Sequence, residues 1–135
     1  DWLATREAEY DPRVAVRIRK AEAQGAGEYE ALLAERAAMI TRAAAITEPF
    51  DAVLMPTVPI TAPKIAALEA DEALFGRINL LALRNPTVSN FLDRCAISLP
   101  LPVDGLPIGL MLMGEAMADR RLLAIARGVE DALAA

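Results

Sequence analysis

The stretch CAISLPLPVDGLPIGLMLM, residues 95–113, decides the fold of this 135-residue chain. Two apolar runs, Ala96 to Leu99 and Ile108 to Met113, flank the link PLPVDGLP. Its Asp104-Gly105 pair carries turn chemistry, because glycine takes a positive φ at no steric cost. Apolar strands joined in this way predict an antiparallel hairpin. Upstream, Ala52, Val53, Leu54 and Met55 form a third short apolar run bounded by Asp51 and Pro56, which reads as a buried strand. Pro56, Pro59 and Pro63 prevent further ladder pairing, so the chain is expected to leave the sheet there as an extended loop. All three runs read as buried on both faces, which calls for more sheet than three strands provide.

Helical patterns surround these strands. Asp11 and Pro12 have the chemistry of an N-cap and a first helical position. Val14, Ile18 and Ala21 then share one face, and Gly25 and Gly27 mark the end. A longer helix is predicted from Glu28 to Thr47, with Tyr29, Leu32, Leu33, Arg36, Ile40, Ala43 and Ala44 at helical spacing and Pro49 beyond it. The two are expected to form a helical hairpin. Residues 66–84 read as helix with Leu80, Leu81 and Leu83 as anchors, Pro86 is expected to break it, and 87–93 is ambiguous. Asp119 is expected to cap a last helix carrying Leu122, Ala126, Val129 and Leu133 as one stripe. The fold class is therefore α/β, about three strands covered by helices, in a single domain over 1–135. It comprises a helical hairpin at 1–48, then strand, Pro loop, helix, hairpin and helix at 49–135.

Composition narrows the functional classes. The chain is 55% hydrophobic with a mean hydropathy of +0.30, high for a domain of this size. Either some apolar side chains face a partner, giving a homo-oligomer, or the alanines simply pack helices closely. No apolar run reaches the roughly 18 residues of a membrane span. With no initiating Met and no leader pattern, the sequence reads as a piece starting mid-protein. Net charge is −5 and the 14 Lys and Arg are scattered, which argues against direct nucleic-acid binding. One cysteine, Cys95, suits a reducing cytoplasm, and with no His a transition-metal site has little to build on. No cofactor is expected.

Few residues offer chemistry. Ser89 and Ser98 lack a Gly-rich exposing turn and have no His as base, and nothing in the sequence brings Lys20 or Lys64 to them, so both read as structural. No catalytic residue is assigned. Cys95 reads as a small hydrophobe at the start of a strand. Thr57, where a strand meets the Pro loop, is either a pocket wall or a loop threonine bonded to local backbone. Asn90, Asp93 and Arg94 precede a strand; they form either a polar cluster in which Arg94 orients a substrate carboxylate or amide, or a capping network. Thr57, Asn90 and Arg94 are the candidate substrate-binding residues.

In their order and spacing, YDPRVAVRI (10–18), GEYEALLAERAAM (27–39), DAVLMPTVPITAP (51–63), NFLDRCAISLP (90–100), GLPIGLMLMG (105–114) and DRRLLAIARGVE (119–130) resemble the C-terminal portion of an amidase-signature hydrolase. The resemblance runs from about Tyr10 to the C-terminus. It implies part of a large mixed sheet flanked by helices, contributing edge strands and one wall of a funnel for a small-molecule amide. It implies acyl transfer from an amide to water by a Ser, cis-Ser and Lys triad in a GGSSGG-like motif, in the first half of a chain several times longer. None of that motif is present here. The family pattern after Asn90 has Gly where this chain has Asp93 and Pro where it has Cys95, a departure similar to the carboxybiuret-hydrolase-like branch and unlike the branch acting on aminoacyl-tRNA. Other readings are a non-catalytic oligomerisation module and a glutaminyl-tRNA amidotransferase A-subunit segment.

Overall fold

The computed structural model describes residues 2–134. The elements in chain order are α1 (Trp2–Arg6), a 3-10 turn (Glu7–Glu9), α2 (Pro12–Arg19), a second 3-10 turn (Lys20–Ala23), α3 (Ala26–Thr47), β1 (Val53–Pro56), α4 (Ile65–Ala70), α5 (Glu72–Phe91), β2 (Ala96–Pro100), β3 (Gly109–Met113) and α6 (Asp119–Leu133). Two compact units divide inside α3, at residues 37 and 38. In the first, the Asp11 side chain accepts a hydrogen bond from the Arg13 backbone N–H (2.8 Å), the N-cap the sequence predicts, with Pro12 at the first helical position. Leu3 and Ala15 are its buried residues, while Val14 and Ile18 of the predicted apolar face remain exposed.

The second unit is built on a three-stranded antiparallel sheet in the order β1-β3-β2. The hairpin of β2 and β3 forms as predicted, with Ala96 opposite Met113 and Leu99 opposite Leu110, and Gly105 in the connection takes a φ of +99°. β1 pairs with the other edge of β3, Val53 opposite Met113 and Leu54 opposite Leu112. Alternation puts Leu112, Leu110, Ile97 and Leu99 on one face, and α6 closes it with Leu122 and Ala126. The stripe predicted on α6 is the face that is buried, extended by Ile125.

Four expectations are corrected. Only β3 is buried on both faces: as edge strands, β1 leaves Leu54 56% exposed and β2 exposes Ala96 and Ser98. Pro86 does not end its helix, since α5 runs through it to Phe91. A mid-helix proline forfeits one backbone bond and disfavours helical geometry at the residue before it. That residue, Asn85, is held by a tertiary bond from its Nδ2 to the Pro56 carbonyl (2.7 Å). The helical stretch before it is two helices rather than one, because Asp71 caps α5 through the Leu74 N–H (2.9 Å), and Leu80 and Leu83 point to solvent. Finally, Asp119 is the first helical residue and not the cap of α6, whose N-cap, Ala118, makes no side-chain bond. There the Asp119 carboxylate faces the positive end of the helix dipole.

Candidate functional site

β1 and β2 both run against β3, so they share a direction and their carboxyl ends lie at the same end of the sheet. Thr57 sits at that end: its N–H donates to the Gly109 carbonyl (2.8 Å), extending the β1–β3 ladder by one residue. Across β3, the Thr57 and Ser98 hydroxyls meet at 2.5 Å. Only glycine permits this contact, because a Cβ at Gly109 would lie 2.5 Å from Ser98 Oγ and 2.6 Å from Thr57 Oγ1. One residue before Thr57, the Pro56 carbonyl accepts from Asn85, and Asn85 Oδ1 in turn accepts from Arg84 Nε (3.2 Å). Two side-chain networks thus converge on residues 56 and 57.

Arg94 and Asn90 lie elsewhere. Ala96 is opposite Met113 and Thr57 is level with Gly109, so Arg94 stands six residues along the sheet from Thr57. At about 3.3 Å per residue that is roughly 20 Å. Thr57 and Arg94 therefore lie toward opposite ends of the sheet. The Arg94 guanidinium donates to Thr47 Oγ1 (3.0 Å) in the last turn of α3, and Thr47 itself donates to the Ala43 carbonyl (2.8 Å). Beside it opens a cavity of about 470 Å³ lined by Ile40, Ala44, Glu48, Leu92, Arg94 and Glu115.

The turn before β2 has a definite form. Arg94 N–H bonds to the Ser89 carbonyl (2.9 Å), Asp93 N–H to the Asn90 carbonyl (3.4 Å), and Asp93 takes a φ of +53°. These bonds and the left-handed residue make a Schellman motif ending α5, in which Asp93 stands where glycine is usual. Asn90 supplies a backbone carbonyl to that cap and its side chain is exposed.

The other nucleophile candidates are accounted for. Ser89 is buried and its hydroxyl donates to the Pro86 carbonyl (2.9 Å). Ser98 is paired with Thr57, a partner that cannot act as a base. Cys95, half-buried against the α6 core, donates its S–H to the Glu115 carbonyl (2.9 Å). Among the described residues no three His, Cys, Asp or Glu are placed to hold a metal.

Arg84, Asn85 and Gly109 escaped the sequence reading. Two signals pointed to them: an Asn-Pro pair inside a helical pattern, and an isolated glycine within an apolar strand, which marks close approach of another group.

Comparisons agree with this architecture. A 2-amino-5-chloromuconic acid deaminase of Comamonas testosteroni is 36% identical over 126 residues, covering 89% of this chain and 26% of that protein. The glutamyl-tRNA(Gln) amidotransferase A-subunit of Salinispora arenicola is 33% identical over 136 residues, covering 96% and 27%. The chain thus spans about a quarter of the length of these relatives. Among solved structures, an allophanate hydrolase from Kluyveromyces lactis superposes with a TM-score of 0.73 at 26% identity, over 91% of this chain and 20% of that one. The family model described as Amidase matches residues 2–123. The chain belongs to the amidase family.

Proposed function

We propose that these residues form the C-terminal wall of a longer amide hydrolase that cleaves a C–N bond in a small-molecule amide. The nucleophile comes from elsewhere in that protein. The observation that carries this is the combination of a family match over 2–123 with two serines whose partners are a main-chain carbonyl and a threonine hydroxyl. In the family reaction a serine attacks the amide carbon, lysine and a bridging serine relay protons, and backbone N–H groups hold the oxyanion. The role of this segment is to shape the pocket, with Thr57 on the ligand side. Arg94 and Asn90 serve the opposite end of the sheet, where Arg94 ties the turn before β2 to α3 and the Asn90 carbonyl caps α5.

The longer protein should release ammonia from small amides, whereas the 135-residue chain alone should not. Loss of a whole triad removes about six orders of magnitude in turnover. Amide hydrolysis by the 135-residue chain, abolished by Ser98→Ala or Ser89→Ala, would overturn the proposal.

A second reading, an amidotransferase A-subunit segment, is favoured by the 33% identity over 96% of the chain. A companion protein co-purifying with the longer protein distinguishes it. We also place the protein in the cytoplasm as a homo-oligomer, supported by its single cysteine and by exposed apolar side chains such as Tyr29, Leu32 and Ile46. Among the described residues no helix is long and apolar enough to cross a membrane.

A further inference from the structure

Linked through Asn85 to the carboxyl end of β1, the exposed Arg84 is anchored at one nitrogen and only partly used. Asn85 is 9% exposed, and a buried carboxamide needs partners at both ends. It has them: Nδ2 donates to the Pro56 carbonyl at 2.7 Å, and Oδ1 accepts from Arg84 Nε at 3.2 Å. The first bond fixes the carboxamide against the sheet. The second fixes the guanidinium through its Nε. Arg84 has five N–H donors. Among the described residues its other four meet no hydrogen-bond partner or carboxylate, so the fork that matches a carboxylate bidentately is open. The next residue after Pro56 is Thr57, whose hydroxyl meets that of Ser98 over Gly109.

We propose that Arg84 receives the carboxylate of an acidic amide substrate and that Asn85 is the positioning residue that orients it. This rests on the amide-hydrolase reading and names the substrate class within it: a monoamide of a dicarboxylic acid. The carboxylate takes the open fork of Arg84, one residue removed in the hydrogen-bond chain from the strand end that bears Thr57. A lysine at 84 keeps the charge but not the fork, and a leucine at 85 keeps the branched shape but releases both Arg84 and Pro56.

The test uses the full-length enzyme that carries this segment, with succinamate as the acidic amide and butyramide as its neutral analogue. Arg84→Gln should lower kcat/KM for succinamate about 10- to 150-fold, the range for loss of a charge-assisted hydrogen bond. Butyramide should change by less than about threefold, since no fully formed contact is removed. Arg84→Lys should recover only part of the loss. Asn85→Leu should raise KM for succinamate more than for butyramide, and should cost little further discrimination when added to Arg84→Gln, because the two act as one unit. Equal losses on both amides, or an unchanged succinamate value, overturn the assignment and leave the amide-hydrolase reading standing. Should Arg84→Gln fail to fold, Arg84→Lys decides by the same contrast between substrates. If the wild type hydrolyses neither amide, calorimetric titration judges Arg84 alone. Succinamate binding by the wild type that Arg84→Lys weakens supports the site, and equal or absent binding in both overturns it.

Discussion

Replacing Gly109 with alanine is the most direct probe of the convergence at the end of the sheet. The added Cβ would sit 2.5 Å from Ser98 Oγ, 2.6 Å from Thr57 Oγ1 and 3.1 Å from Thr57 Cβ. The two hydroxyls can rotate away, but Thr57 Cβ is fixed by a backbone that is itself bonded to the Gly109 carbonyl (2.8 Å). Overpacking of this kind costs about 1–3 kcal/mol. Loss of the Thr57–Ser98 hydrogen bond adds about 0.5–1.5 kcal/mol. Opposing both is the entropy gained when a strand glycine becomes alanine, about 0.5–1 kcal/mol. The net expectation is a loss of about 0.5–4 kcal/mol, centred near 2, from the same terms. In urea unfolding, with a slope of about 2 kcal/mol per M, a loss near 2 kcal/mol should lower the midpoint by about 1 M at unchanged slope. Ser98→Ala removes one of the clashing oxygens, so in the double variant the cost of Gly109→Ala should shrink by at least about 0.5 kcal/mol. A Gly109→Ala protein as stable as the parent, or strictly additive costs, would refute the reasoning.

Other perturbations have equally definite outcomes. Asp93 holds a left-handed φ of +53°, so Asp93→Gly should be neutral or stabilising by up to about 1 kcal/mol, and Asp93→Val should cost about 1–2 kcal/mol by thermal or urea unfolding. Leu112 is fully buried between the sheet and α6, and its truncation to alanine should cost about 2–5 kcal/mol in the same assay. Arg94→Ala should lower stability by about 0.5–1.5 kcal/mol and change acidic and neutral amide kinetics equally, whereas an effect on acidic amides alone would return Arg94 to the substrate side. The side-chain bond from Arg13 holds the Asp11 carboxyl at about 2, below its ordinary 3.8. A depressed folded value contributes stability that is fully present above the ordinary value and lost as pH falls toward 2. Carboxyl NMR titration should place Asp11 there, and 1 M salt, which screens this exposed pair, should raise it.

The strands were legible because β3 is buried on both faces and its GLMLM sequence is apolar without a break, and because an Asp-Gly pair marks the hairpin. The α6 stripe was legible for the same reason, one buried face at helical period. Pro86 misled because the interaction that keeps its helix intact, Asn85 to the Pro56 carbonyl, joins residues 29 positions apart and leaves no local trace. Thr57 and Arg94 each flank a strand, but only the strand order and directions reveal that one follows a carboxyl end and the other precedes an amino end. Asp93 has a clearer lesson: the family pattern places glycine there, and the structure supplies the reason in a left-handed backbone that aspartate tolerates better than most residues.

The sheet order β1-β3-β2 has a consequence for how the chain is made. Its central strand is the last of the three to leave the ribosome, so neither edge strand has its β3 partner when it emerges. Val53 must wait about sixty residues for Met113, which at 5–20 residues per second is roughly 3–12 s. Through that interval the edge of β1 that β3 will cover is open, the condition under which strands find foreign partners. The interval closes only when Gly109–Met113 arrives between the two waiting strands. Substitutions that slow or disfavour β3 should therefore reduce soluble yield by more than their effect on equilibrium stability, a difference that pulse-labelled solubility measurements at matched midpoints would expose.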